Sequence, residues 1–131
     1  MNTHKEVRMA GMDVSLKEMM AIDGAVGAAV VDHGSGMALG TLGGSKDLDL
    51  QVAAAGNTEV VKAKMRTMDS LGLKDAIEDI LITLGTQYHI IRPMAGRGGK
   101  GLFLYLALDR GRANLAMARH HLRNVEEKLE V

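Results

Sequence analysis

The sequence has no cysteine and no tryptophan, a single proline, and only three aromatic residues, Phe103, Tyr88 and Tyr105. Without cysteine there is no disulfide framework, no thiolate zinc site and no thiol nucleophile. The shortage of aromatic rings counts against a large ligand pocket, which such rings usually line. No apolar run approaches the roughly 20 residues of a membrane-spanning helix. The N-terminal residues, Met1-Asn-Thr-His-Lys-Glu-Val-Arg8, contain no apolar stretch that would serve as a signal peptide. An excess of one charge is missing too. Sixteen Lys and Arg balance sixteen Asp and Glu, so no overall field draws the chain to nucleic acid or membrane.

What is present fits one cytoplasmic globular domain. The 131 residues are 47% hydrophobic and 24% charged, the balance of a folded chain rather than a disordered one. At this length roughly two-thirds of the unfolded surface is buried on folding, enough for one core. We expect a flexible lead-in over residues 1–13 and a single domain over 14–131. Ten methionines suit an adaptable core or a contact surface.

Periodicity sets the order of elements. Ser15 and Glu18 have the spacing of a capping box, predicting a short helix to about Ala21 that Asp23-Gly24 ends. Residues 26–31 and 37–42 read as two strands joined by a Gly-rich turn around His33. The longest helix is predicted over residues 47–71. At 100° per residue Leu50, Ala54, Val61, Met65 and Met68 form one apolar stripe, and Val52, Gly56, Val60, Ala63 and Leu71 a second about 120° away. One sheet needs only one stripe, so something beyond its own sheet is expected to cover this helix. Strands follow at 79–84, 87–94 and 102–108, the last nearly all apolar and so placed at the centre of a sheet. A final helix carries one stripe, Leu115, Ala118, Leu122, Val125 and Leu129. The order α-β-β-α-β-β-β-α, with strands joined by short turns, predicts an α+β layer structure on an antiparallel sheet.

Candidate chemistry is sparse. Gly96-x-Gly98-x-x-Gly101 matches the dinucleotide fingerprint as a string, but that mechanism needs a helix to follow, and a strand follows here. The five histidines have no metal-ligand spacing, and neighbouring His120 and His121 diverge by about 100° on a helix. Asp32, His33 and Ser35 contain triad residue types on a single turn, where turn chemistry explains them better. Residues 92–123 carry seven basic residues (Arg92, Arg97, Lys100, Arg110, Arg112, Arg119, Arg123) against Asp109 alone, a net of +6. Phe103 and Tyr105 lie inside an apolar strand, so the strip lacks the stacking rings of a nucleic-acid surface. No catalytic, cofactor or metal residue is assigned, and the chain reads as a non-enzyme.

Several segments together resemble the roadblock (dynein light chain) family, and its bacterial branch, which includes mutual-gliding protein B, more than the dynein light chains. They are the opening helix before Asp23-Gly-Ala-Val-Gly-Ala-Ala-Val-Val-Asp32, the Gly34-Ser-Gly36 turn, the long helix, and Tyr88-His-Ile-Ile-Arg-Pro-Met94. Leu102-Phe-Leu-Tyr-Leu-Ala-Leu-Asp109 and Arg112-Ala-Asn-Leu-Ala-Met-Ala-Arg119 complete the set, which covers nearly all of residues 14–129. The Gly96 to Gly101 loop departs from the family's pattern. The resemblance implies a five-stranded antiparallel sheet flanked by helices, and a homodimer in which long helices pack together and third strands pair. Mapped here, that interface uses Leu50, Ala54, Val61, Met65 and Met68, or the companion stripe, with Ile80, Ile82 and Leu84. The family commonly binds and regulates small Ras-like GTPases without a catalytic site of its own. The partner surface then falls on the polar arc Thr58, Lys62, Arg66 and Asp69. The alternative from the same element order is a small-ligand-binding sensory module, which a cavity beneath the sheet would favour.

Overall fold

Ala28 and Val30 point opposite to Ala29 and Val31, as alternate residues of a strand do, and all four are fully buried. A sheet holding them needs a cover on each face. The computed structural model, which describes residues 3–94 and 101–129, has that arrangement. Its elements are α1 (Thr3–Met20), β1 (Ala25–Asp32), β2 (Ala38–Gly43), α2 (Leu50–Ser70), β3 (Ile80–Thr83), β4 (Gln87–Pro93), β5 (Leu102–Asp109) and α3 (Leu115–Lys128). The five strands form one sheet in the order β2-β1-β5-β4-β3, antiparallel at every pairing. The apolar β5 takes the central place, as its composition predicts.

Alternation divides the core into two layers. On one face Ala28, Val30, Ile90, Leu104, Leu106 and Leu108 meet Leu16 and Met19 of α1 and Ala118, Leu122 and Val125 of α3. On the other, Ala29, Val31, Ile91, Phe103, Tyr105 and Ala107 meet Leu50, Ala54 and Val61 of α2. Between β2 and α2 the chain turns through Gly43 and Gly44, both with positive φ. A Cβ at Gly43 would stand 2.9 Å from the Val26 carbonyl oxygen, so glycine is required there.

One element departs from expectation. The first helix starts at Thr3 rather than at Ser15, and Ser15 is buried inside it. Residues 3–13 thus continue the helix instead of leading into it. Met12, Leu16 and Met19 pack on the sheet at helical spacing, and this docking, rather than the local cap signal, sets the helix's extent.

Candidate dimer and partner surface

The long helix α2 begins at Asp49, whose Oδ1 accepts from the amides of Gln51 and Val52 at 3.0 and 3.2 Å, an N-cap satisfying two otherwise orphaned donors. From there Leu50, Ala54, Thr58 and Val61 face the sheet and are buried. This corrects part of the expected surface. Leu50, Ala54 and Val61 are consumed by the chain's own core and offer nothing to a second copy. Thr58, expected on the polar arc, is 2% exposed and donates its hydroxyl to the Ala54 carbonyl at 2.7 Å. Lys62 is half-buried, and Arg66 and Asp69 are exposed.

Of the two apolar stripes, the companion is the uncovered one. Val52 and Leu71 are 68% and 66% exposed, Val60 is 37% exposed, and Gly56 and Ala63 lie between them at the surface. A Cβ built on Gly56 meets nothing within 4 Å. A mid-helix glycine costs roughly 0.5–1 kcal/mol relative to alanine, and among the described residues nothing requires it. Met65 and Met68 continue the sheet-facing stripe, yet Met65 is exposed and Met68 half-buried, because the last turns of α2 overhang the sheet.

The sheet is similarly incomplete on this side. Helix α2 packs over β1 and β2, while Ile80, Ile82, Gln87 and His89, on the same face, remain half-buried. β3 is an edge strand whose one sheet neighbour is β4. Its ends are held by two arginines from the far end of the chain. Arg119 makes a bidentate pair with Asp79 at 2.7 and 3.0 Å, which keeps the guanidinium more firmly protonated than usual. Arg110 donates to the Leu84 carbonyl at 2.6 Å and lies over the Tyr88 ring. Leu81 and Leu84 are 37% and 41% exposed.

His89 forms a small polar network on this half of the face. Its Nε2 is 2.8 Å from Gln87 Oε1 and its Nδ1 3.1 Å from the Tyr105 hydroxyl. Burial lowers the His89 pKa and pushes that of Tyr105 up to about 12. Both shifts favour the neutral forms. With Nε2–H donating to Gln87 and Nδ1 accepting from Tyr105, the uncharged imidazole is satisfied on both nitrogens.

The expected basic strip is largely spent on structure. Arg92 pairs with Glu126, Arg112 with Asp109, and Arg110 and Arg119 hold the ends of β3. Arg97 and Lys100 lie outside the described residues, as does most of the Gly96 to Gly101 loop; Gly101 itself leads into a strand. On the β1–β2 turn Asp32 Oδ2 accepts from the Ser35 hydroxyl at 2.6 Å and from its amide at 3.1 Å. These bonds close the turn and hold the Asp32 carboxyl below its usual pKa. The ties across β3 were invisible to motif reading, since Asp79 and Arg119 stand 40 residues apart and neither occupies a recognisable spacing.

No protein-family profile matches the chain, and no curated protein does. Solved structures match its fold. The gliding protein MglB of Thermus thermophilus aligns with a TM-score of 0.78 at 18% identity, over 93% of this chain and 87% of its own. Myxococcus xanthus MglB aligns at 0.75 and 15% identity, over 98% and 90%. A Roadblock/LC7 domain from Streptomyces avermitilis aligns at 0.71 and 12% identity, over 90% of each chain. The chain has the roadblock fold.

Proposed function

We propose that this protein is a non-enzymatic homodimeric adaptor, acting in the cytoplasm, that regulates a small Ras-like GTPase. The observation that carries the dimer is a helix with two apolar sides, one buried in its own core and the other uncovered beside an unpaired strand edge. The interface comprises Val52, Gly56, Val60 and Ala63 of α2 with Ile80, Ile82 and Leu84 of the β3 edge. Glycine at position 56 lets a second helix approach closely, and the open edge of β3 offers backbone donors and acceptors to a second strand. The GTPase half rests on the resemblance of the quoted segments to roadblock proteins and is supported by the MglB-like fold. Lys62, Arg66 and Asp69 form the surface that meets the GTPase. Against a ligand sensor stands the packing of the core, in which Ala28, Ala29, Val30, Val31, Leu104 and Leu106 are fully buried beneath the helices.

Light scattering after size exclusion tests the dimer. Wild type is expected near twice 14.0 kDa and Gly56→Glu at the monomer mass. The substituted helix is expected to be no less stable, since Glu is the better helix former by roughly 0.5–1 kcal/mol. A wild-type monomer at high micromolar concentration overturns the dimer. For the partner, GTP- and GDP-loaded Ras-like GTPases from the same cell are titrated against wild type and Lys62→Glu/Arg66→Glu. Roughly ten-fold weaker binding by the variant is expected, about 1.4 kcal/mol, and unchanged affinity removes this surface.

A further inference from the structure

Where α2 overhangs the sheet it leaves a groove of about 400 Å³. Its apolar lining is Met65 and Met68 of α2, Leu73 and Ile77 of the α2–β3 connection, and Pro93 and Met94 at the end of β4. Met65 and Met68 point the way the core-facing stripe of α2 points, and the uncovered stripe lies on another side of the helix, so the groove is distinct from the proposed dimer contact. Methionine is unbranched and polarizable and reshapes to fit a bulky guest. Two carboxylates, Asp69 and Asp75, stand at the rim, and among the described residues no Lys or Arg lines the groove. Asp75 commits one oxygen to the amide of Ala76 at 3.0 Å.

From this combination we infer that the groove is a docking site for a segment of another protein that carries bulky apolar side chains flanked by Lys or Arg. The apolar walls take up the side chains, and the acidic rim selects the flanking charge, which steers association and rejects acidic segments. A second copy of this chain is a poor occupant. The N-terminal turn of α2, which an antiparallel partner helix brings to this end, is preceded by Asp47 and Asp49 against Lys46 alone, a net acidic stretch.

The probe is a phage-displayed random peptide library selected on wild type and counter-selected on Met65→Lys/Met68→Lys. Enriched sequences are expected to combine large apolar residues with Lys or Arg. The best of them, made synthetically, is expected to shift the methyl resonances of Met65, Met68 and Met94 and to leave those of Met19 and Met117 unmoved. Asp75→Lys, which alters the rim and leaves the proposed GTPase surface untouched, is expected to weaken that peptide at least about ten-fold, and raised salt to weaken it on wild type. Gly56→Glu is expected to bind it as wild type does, which keeps this site separate from the dimer. No enrichment over the counter-selection, enrichment without basic residues, or methyl shifts elsewhere overturns the proposal. So does conversion of the dimer to monomer by Met65→Lys/Met68→Lys, which would show a second copy in the groove.

Discussion

Val60 and Val61 are neighbours in sequence with opposite surroundings: Val61 is 1% exposed and Val60 37%. A charge at Val61 has no water and no partner, so Val61→Asp is expected to cost several kcal/mol and to lower the urea midpoint sharply. Val60→Asp is expected to leave the midpoint of the monomer within about 0.5 kcal/mol while abolishing the dimer. A Val60→Asp variant that stays dimeric removes the outer stripe from the interface. His89 makes a pH prediction at the same scale. Its pKa in the fold lies below its ordinary 6.5, so the unfolded chain takes up the proton first. Its contribution to stability is full above about pH 6.5, declines as pH falls from there toward the folded value, and is lost below. Denaturation midpoints of wild type are expected to fall between pH 7.5 and 5.5 more than those of His89→Gln, and equal falls would assign the slope to other groups.

At the scale of elements, β3 is the segment most dependent on distant help. Four residues long and paired on one side only, it makes few ladder hydrogen bonds of its own. Arg119 reaches it from α3 through Asp79, whose side chain is 8% exposed while that of Arg119 is 43% exposed. Substitution by Leu leaves a largely buried carboxylate without its cation. The pair's partial exposure limits the cost to about 1–2 kcal/mol. Hydrogen exchange is expected to report faster opening of Ile80–Thr83 amides in Arg119→Leu, with β5 amides unchanged. Equal acceleration in both strands would mean that the ion pair supports the whole sheet rather than its edge.

For the molecule as a whole, the proposed assembly couples folding to concentration. A native state that is a dimer melts at a temperature that rises with protein concentration, by mass action. Wild type is expected to show that rise and Gly56→Glu to show none. A concentration-independent wild-type melt would indicate that association contributes nothing to stability under those conditions. The two covers of the sheet differ in this respect. α1 and α3 together fill one face, and α2 alone covers the β1–β2 half of the other, leaving His89, Ile80 and Ile82 half-buried beside an open edge.

By itself the sequence determined the order of the eight elements, the central position of β5 and the existence of two apolar stripes on α2. The first and last follow from local periodicity and the second from the nearly all-apolar composition of β5, both imposed by a residue's neighbours in the chain. Which stripe turns inward was decided by the tertiary structure, since both stripes are apolar and periodicity carries no sign. The inward choice of Leu50, Ala54 and Val61 took Thr58 off the surface and left Gly56 on it. Tertiary structure also decided the extent of α1, set by docking of Met12 and Leu16 rather than by the cap at Ser15. It turned four arginines of the nominal basic strip into structural ties, because Arg92, Arg112 and Arg119 found carboxylates and Arg110 a carbonyl. The methionine groove belongs wholly to that level: its walls come from α2, the connection after it and β4, and only the sheet brings them together.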